Sequence, residues 1–315
     1  MNVPRISVVI TTRNRPAFLA ESLGSVIGQD YRDYEILVVD DASDNPEENA
    51  NVIARFSGPI RHVLRDRKGG PSAARNTGIS ASSGEFIAFL DDDDLWFPSK
   101  LGRQVATFDS NRKHLPRLGL VYCGHQWIDF QTGFVRPRRM PRMSGIDDLF
   151  TQQYNIIQTV LVKRTYVDEA GGFNEGMAFN ENLEFLARVA RRCDFDWVED
   201  ILVICRGHSG PRTADNSSVV LSGYEQTLQS ARTLGVTPAV LHGDYYRLAR
   251  LQIAAGSTRV ARQSFLQAVK VAPAPLKVRY SALFCLSYVG RLLGRNVRSI
   301  RGTELAPPRG NQPEP

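Results

Sequence analysis

Four consecutive aspartates, Asp91 to Asp94, are the residues of this sequence with the clearest chemical potential. Their carboxylates repel one another at neutral pH, so such a run persists at low cost only where a cation or basic groups neutralise it. A divalent metal ion is the simplest partner, although a surface acidic loop would also explain the run, and Asp94 could cap a following helix. Because side chains alternate along an extended segment, we expect Asp91 and Asp93 to face one way and Asp92 the other. This D-x-D spacing suits one carboxylate for a ribose or a bound water and one for a metal.

A second acidic pair, Asp40 and Asp41, follows the apolar run at residues 35–39. Either carboxylate can accept a hydrogen bond from a nucleobase imide or a ribose hydroxyl, or can cap the next helix, and we expect one of each. Residues 69–76 lack the spacing of a Walker loop or a dinucleotide fingerprint, which disfavours an ATPase or an NAD-dependent enzyme. A nucleotidyltransferase would need a glycine-rich loop near the first strand, and residues 11–16 contain no glycine.

The elements that must position these residues are short apolar runs, which predict strands at residues 6–10, 35–39, 60–64 and 85–90. Helical patterns separate them, so the fold class predicted is α/β, a Rossmann-like, mostly parallel sheet covered by helices. Ligands bind at the carboxyl ends of strands in such sheets. The polar residues expected along that edge are Thr11, Asp40, Arg67, Lys68 and the aspartate run.

Composition indicates a folded chain with an unequal distribution of charge. The 315 residues are 42% hydrophobic and 23% charged, which suits a sizeable core. We predict a nucleotide-binding and catalytic domain over residues 1–220, a basic helical appendage over 221–303 and a disordered tail over 304–315. Residues 226–301 carry twelve lysines and arginines but one acid, Asp244. This excess predicts contact with an anionic partner such as a bilayer surface, although a solvated helical face is an equal alternative.

The cysteines and the N-terminal residues indicate the cellular compartment to expect. Four scattered cysteines without C-x-x-C spacing indicate no structural zinc site and no disulfide framework, and we expect them to be buried. The first apolar run is too short for a signal peptide or a membrane span. We therefore expect a cytoplasmic protein without a nucleic acid partner, with peripheral attachment to the inner face of the membrane as a hypothesis.

Residues 6 to about 218 resemble a family-2 glycosyltransferase of the GT-A fold. The matching motifs, in the family's order, are residues 7–15, 29–31, 35–43, 70–78, 83–96 and 171–175. The resemblance implies that Thr11 and Asp40 hold the base, that Arg75 lies near the nucleotide, and that Asp91 and Asp93 serve the ribose and the metal. Arg13 and Asp92 are expected in the same nucleotide site. Mn²⁺ or Mg²⁺ would bridge the two phosphates of the donor.

The resemblance also locates the catalytic base. The family usually has an acidic pair after the Gly-Gly-Phe segment, and the second acid deprotonates the acceptor. This sequence has Asn182 at that position, and an amide is no base at ordinary pH. Either Glu181 or Glu184 takes the role, or the chain is catalytically weak. These two glutamates could share one helical face, or Glu184 could pair with Arg188 on a solvated surface.

A late motif, residues 206–209, resembles the family's R-x-H loop, which makes His208 a candidate diphosphate or metal contact. The function implied is inverting transfer of a sugar from a nucleotide diphosphate sugar, a UDP-sugar, to a hydroxyl of a glycan or lipid-linked acceptor. Two rivals are a nucleotide-sugar-binding pseudoenzyme, suggested by Asn182, and the nucleotidyltransferase already disfavoured.

Overall fold

The computed structural model describes residues 3–111, 113–207 and 216–292. Its N-terminal half alternates strands and helices, as the sequence predicts. These elements are β1 (Ile6–Thr12), α1 (Pro16–Ile27), β2 (Tyr34–Asp40), α2 (Pro46–Ile53), β3 (Ile60–Leu64), α3 (Gly70–Ala81) and β4 (Phe86–Asp91). The strands lie in the order β3-β2-β1-β4, and every neighbouring pair among them is parallel.

Burial accounts for this half of the sheet. Strands β1, β2 and β4 are almost wholly buried, whereas the edge strand β3 is partly exposed. Thr12 of β1 lies opposite Asp40 of β2, and Thr11 lies opposite Asp91 of β4. The carboxyl ends of these strands therefore meet at one edge, which confirms the predicted placement of the polar residues.

The second half of the sheet is mixed. Its elements are β5 (Leu95–Trp96), α4 (Lys100–Asn111), β6 (Leu118–Asp129), β7 (Val135–Arg138), α5 (Ile146–Thr151), β8 (Leu161–Lys163), α6 (Arg164–Ala170), α7 (Glu181–Ala190) and β9 (Asp194–Gly207). The sheet continues from β4 as β8-β6-β9-β5, with β7 beside β6. Strand β8 is antiparallel to both neighbours, and β6 is parallel to β9. The mostly parallel arrangement thus holds only for β1 to β4, because a buried apolar run has the same composition in either strand direction.

Four helices follow, α8 (Ser217–Thr233), α9 (His242–Ala254), α10 (Thr258–Val271) and α11 (Ala274–Leu292). The predicted boundary at residue 220 falls inside α8. Leu228 and Ala231 of α8 belong to the same core cluster as Phe185 of α7, so the helices share a hydrophobic core with the sheet half. The division into two domains stays a prediction, and residues 304–315 lie outside the described part of the chain.

Two expectations from composition also have structural outcomes. None of the helices in the described ranges is long and apolar enough to span a bilayer. All four cysteines are free, and Cys123 and Cys193 are buried as expected. Cys285 is exposed, so burial of all four cysteines was wrong for that residue.

Candidate active site

The aspartate run forms a tight turn at the end of β4. The backbone N–H of Asp94 donates to the carbonyl oxygen of Asp91 across 3.1 Å. Oxygen atoms from the carboxylates of Asp91, Asp93 and Asp94 all lie within 4.8 Å of one another. The predicted proximity of Asp91 and Asp93 is therefore present, and Asp94 joins them because a turn, unlike an extended segment, brings residues i and i+3 together. Carboxylate oxygens in such a set are the ligands that Mg²⁺ and Mn²⁺ prefer.

Asp92 turns toward β1 and α1. Its carboxylate accepts a hydrogen bond of 2.8 Å from Thr12 Oγ1 and one of 3.2 Å from Arg15 Nη1. The same Arg15 nitrogen lies 2.9 Å from Asp93. Burial and the neighbouring charge of Asp93 raise the pKa of Asp92 to about 7, although Arg15 opposes this shift. Asp92 therefore anchors the turn to Thr12 and Arg15. Its expected role in nucleotide binding stays a prediction.

Arg206, near the end of β9, holds the outer side of the turn. Its backbone N–H donates to Asp94 Oδ1 across 2.9 Å, and its guanidinium donates to the carbonyl oxygens of Asp92 and Asp93. Burial raises the pKa of Asp94 well above its ordinary value. Asp94 precedes strand β5, so it is a partner of β9 and not the helix cap that was one alternative for it. From the sequence, Arg206 was expected only as part of the R-x-H motif and not as a partner of this turn.

Arg75 of α3 lies behind the same cluster and is buried. Its Nη2 atom donates to Asp91 Oδ1 across 2.8 Å. Its Nη1 atom donates to Glu181 Oε1 across 3.2 Å and to Asn182 Oδ1 across 2.9 Å. The guanidinium also lies 5.2 Å from the centre of the Phe173 ring. Arg75 thus joins the aspartate turn to the first residues of α7, where the sequence places the base.

Asn182 makes two contacts that an ionised carboxylate cannot make together. Its Oδ1 atom accepts from Arg75, and its Nδ2 atom donates to the carbonyl oxygen of Asn155 across 3.1 Å. A guanidinium only donates and a backbone carbonyl only accepts, so this orientation of the amide alone satisfies both partners. A carboxylate here would face the carbonyl oxygen of Asn155 without a proton to share. Asn182 is therefore a structural tie between α3, α7 and the loop before β8.

Glu184 lies in a different environment from Glu181. Both of its oxygens accept hydrogen bonds of 2.7 Å from Arg188, and Oε1 also accepts from Ser230 of α8 across 3.1 Å. The structure therefore shows the ion pair with Arg188, although the pair is largely buried and not on a solvated surface. The alternative in which both glutamates look into one site is wrong, because α8 covers the face that carries Glu184.

Two residues without a predicted role complete the site. Gln158 donates from Nε2 to Asp91 Oδ2 across 2.5 Å. Asn76, beside Arg75, accepts from the Phe173 N–H across 2.7 Å and donates to the Phe173 carbonyl oxygen across 2.9 Å. Gly172 has a φ of 69°, and a Cβ there would lie 2.6 Å from Asn76 Oδ1, so this close approach requires glycine. Asn76 and the Gly-Gly-Phe segment both belong to motifs shared with the family, residues 70–78 and 171–175. The sequence did not predict that they contact each other.

The carboxylates of Asp40 and Asp41 both hold neighbouring segments of the chain in place through hydrogen bonds. Asp40 is fully buried, and its oxygens accept from the Ser43 N–H across 2.8 Å and from Asn49 Nδ2 across 2.9 Å. Asp41 accepts from the N–H groups of Gly69 and Gly70, and thereby fixes the loop before α3. The expected division into one cap and one nucleotide contact is not visible in these bonds. The contact of Asp40 with a nucleobase stays a prediction.

The remaining predicted residues lie along the same edge or outside the described ranges. Thr11 Oγ1 lies 3.5 Å from Asp91 Oδ1. Arg13 contacts Asp44 across 3.1 Å and the carbonyl oxygen of Ala42 across 3.3 Å, at the rim of the site. His208 lies outside the described residues, so its predicted metal or diphosphate contact stays a prediction.

Comparisons with known structures define the class of this fold. S. aureus TarS in complex with UDP-GlcNAc superposes with a TM-score of 0.69 over 93% of each chain, at 15% sequence identity. The mannosyltransferase PcManGT from Pyrobaculum calidifontis, solved with GDP-Man and Mn²⁺, gives a TM-score of 0.56 over 95% of this chain and 82% of that chain, at 18% identity. Together with the site at the sheet edge, these likenesses make the fold that of the GT-A glycosyltransferases.

Comparison of sequences names the family. Residues 7–159 match the model of glycosyl transferase family 2. An uncharacterised glycosyltransferase of Rickettsia felis is 26% identical over 212 residues, which cover 65% of this chain and 35% of the relative. A Campylobacter jejuni GalNAc(5)-diNAcBac-PP-undecaprenol beta-1,3-glucosyltransferase is 37% identical over 94 residues, 29% of this chain and 30% of that protein. Residues 7–159 therefore carry the features of glycosyl transferase family 2, which confirms the resemblance seen in the motifs.

Proposed function

We propose that this chain transfers a sugar from a nucleotide diphosphate sugar, a UDP-sugar, to a hydroxyl of a glycan or lipid-linked acceptor, with inversion at the transferred carbon. The observation that carries the proposal is the turn of Asp91, Asp93 and Asp94, held by Arg75 at the carboxyl edge of a GT-A sheet. The UDP-GlcNAc bound to TarS supports a donor of this chemistry.

A divalent metal ion suits the carboxylates at this site. Three carboxylates share one small volume, in which Arg15 contacts Asp93 and Arg75 contacts Asp91. Mn²⁺ or Mg²⁺ there would neutralise the crowded charge and, when bound, would stabilise the departing diphosphate. The Mn²⁺ in PcManGT supports this assignment. We assign Asp93 as a metal ligand, and His208 remains a second candidate.

Donor binding is assigned to the residues around this turn. In this proposal Thr11, Asp40 and Arg13 contact the nucleoside, and Asp91 contacts the ribose. Arg75 and Asp92 set the position of the carboxylates. Asp40 already accepts hydrogen bonds from Ser43 and Asn49, and the remaining lone pairs of its carboxylate could accept a further one from a base.

Glu181 is the candidate base that the geometry favours. It lies at the start of α7 and shares Arg75 with Asp91 and Asn182, whereas Glu184 is committed to Arg188. A carboxylate at this position would take the proton of the acceptor hydroxyl in a single displacement. The competing proposal is a nucleotide-sugar-binding pseudoenzyme, and the tie made by Asn182 is the observation that favours it.

Location and acceptor belong to the same proposal. We place the enzyme in the cytoplasm, against the anionic inner face of the membrane, where lipid-linked acceptors reside. Helices α10 and α11 support this placement with exposed basic residues and no acid between residues 245 and 292. Those exposed bases are Arg259, Arg262, Lys270, Lys277 and Arg279. Each base near an anionic leaflet contributes about 1 kcal/mol.

The test is a donor screen with purified full-length chain. UDP-sugars and GDP-sugars are incubated with and without Mn²⁺, and released nucleoside diphosphate is measured with and without a membrane extract as acceptor source. We expect metal-dependent release from a UDP-sugar that increases with acceptor. Binding of UDP without release from any donor would favour the pseudoenzyme, and neither binding nor release would contradict both proposals.

A further inference from the structure

The hairpin formed by β6 and β7 ends in an exposed apolar tip. Phe130 is 57% exposed, Phe134 is 58% exposed and Val135 is 47% exposed. Asp129 accepts hydrogen bonds from the N–H groups of Gln131 and Thr132, which closes the turn and uses the acidic side chain within it. A small cluster of large apolar side chains presented to solvent at a closed turn indicates a surface that meets another apolar phase.

Basic residues follow this tip directly. Residues 130–142 contain four arginines and no acid. Arg136 lies beside the tip on β7, and the Arg139 side chain is also exposed, at the end of that strand. An apolar tip followed within five residues by exposed arginines matches the two layers of a bilayer interface, acyl chain and phosphate. This charge pattern complements an anionic lipid surface.

The hairpin is physically joined to the aspartate turn through Arg206. The Arg206 guanidinium lies 4.8 Å from the centre of the Phe18 ring and 5.8 Å from that of Phe130, while it donates to the carbonyl oxygens of Asp92 and Asp93. The distance between a surface bound at the tip and the proposed transfer site would therefore be fixed.

We propose that the tip of the β6–β7 hairpin, Phe130 with Phe134 and Val135, inserts into the interface of an anionic bilayer and presents the site to acceptors held in that leaflet. This inference rests on the proposed function for the identity of the acceptor, but the contact itself is independent of the chemistry. It is also distinct from the basic helices α10 and α11, because it requires apolar insertion and not charge alone.

Trp127 provides a local reporter, because its ring centre lies 6.3 Å from that of Phe134. Full-length protein is mixed with vesicles of phosphatidylglycerol and phosphatidylcholine whose acyl chains carry bromine, a short-range quencher of tryptophan fluorescence. We expect quenching with these vesicles, little quenching with phosphatidylcholine alone, and loss of most of the signal in Trp127→Phe. If Trp127→Phe fails to fold, Gln131→Trp in the natural chain should increase the quenching.

The variant that tests the tip is Phe134→Ser with Val135→Ser, which spares Phe130 and its contact with Arg206. We expect its vesicle affinity to fall by about tenfold or more, because two partly inserted apolar side chains are lost. The matched control is Val3→Ser with Leu64→Ser, two apolar residues of similar exposure, 70% and 53%, outside the hairpin. The control should keep the affinity of the natural chain.

Two results would overturn the inference. Co-flotation with the vesicles without quenching of Trp127 would assign membrane contact to the basic helices alone. Absence of flotation at low salt, in a protein that still releases nucleoside diphosphate from a UDP-sugar, would remove the hairpin contact and leave the proposed function standing. Insertion of the tip in a protein without any transfer activity would instead keep this inference and reject the proposed function.

Discussion

The Nη2 atom of Arg75 donates to Oδ1 of Asp91 across 2.8 Å, and this ion pair ties helix α3 to the aspartate turn. The other terminal nitrogen of Arg75 reaches Glu181 and Asn182 at the start of α7. One buried side chain therefore sets the distance between the carboxylates proposed for the metal and the glutamate proposed for the acceptor. This arrangement explains why an arginine, with its planar fork of donors, occupies position 75.

Arg75→Ala should destabilise the protein strongly. The substitution leaves the carboxylates of Asp91 and Glu181 without their shared partner, and breaking a buried pair costs roughly 3–5 kcal/mol. Urea unfolding monitored by circular dichroism measures the loss. Arg103→Ala is the control, because Arg103 and Asp200, 2.7 Å apart, are both exposed and such a surface pair is worth less than about 1 kcal/mol. Equal losses in the two variants would contradict the role given to Arg75.

Glu181→Gln and Glu184→Gln should separate catalysis from stability. We expect Glu181→Gln to reduce sugar transfer with nearly unchanged donor affinity, because the base contacts the acceptor and not the nucleotide. Glu184→Gln should retain turnover but lower the free energy of unfolding by roughly 3 kcal/mol, since it weakens the buried pair with Arg188. Steady-state kinetics and urea unfolding of both variants supply the comparison. Loss of transfer in Glu184→Gln alone, with stability intact, would reverse the assignment.

Asn182→Asp should change stability and turnover in opposite directions. The new carboxylate keeps the partner Arg75 but loses the donor to the Asn155 carbonyl, which costs about 1 kcal/mol. Restoring the acid usual in the family should raise turnover, within the factor of about 10² to 10⁴ typical of a positioned base, and less if Glu181 already acts. Asn182→Ala is the control that loses both contacts and gains no acid. Unchanged turnover in Asn182→Asp would indicate that position 182 serves only as the tie.

Asp244 should make stability depend on pH. Burial raises the pKa of Asp244 from 3.8 to about 6, against the opposing effects of Arg247 and Gln153. The folded state then holds the proton more tightly than the unfolded state, so stability falls as pH rises from about 4 to about 6, by roughly 3 kcal/mol, and the effect is complete above that range. Asp244→Asn should remove this component. Parallel stability curves for the natural chain and Asp244→Asn between about pH 4.5 and about pH 7 would contradict it.

The sequence predicted the strands and their edge well, because a buried strand requires a continuous apolar run and the polar residues must then follow it. Thr11, Asp40 and Asp91 lie where such runs end, and their registers bring them to one edge. The sequence pattern could not predict the direction of the strands in the second half of the sheet. A three-residue strand such as β8 is apolar whether its neighbours are parallel or antiparallel to it.

The parts of the site that the sequence missed depend on contacts across long separations. Gln158 lies in a short 3-10 helix before β8 and Asn155 in the loop that precedes it, and only the folded chain brings them to Asp91 and Asn182. The case of Glu184 is similar. Helical spacing allowed it to face either Glu181 or Arg188, and the packing of Ser230 from α8 decided between them.

The central claim, a metal-dependent nucleotide-sugar site at the aspartate turn, is tested most directly by calorimetric titration of UDP into the natural chain and Asp93→Asn, each with and without Mn²⁺. We expect Mn²⁺ to strengthen UDP binding in the natural chain and to have no effect in Asp93→Asn. Asp109→Asn is the control and should behave as the natural chain, because Asp109 is an exposed acid that pairs with Arg5, beside the opposite end of β1. Mn²⁺-dependent UDP binding that survives in Asp93→Asn, or UDP binding that never depends on Mn²⁺, would contradict the claim.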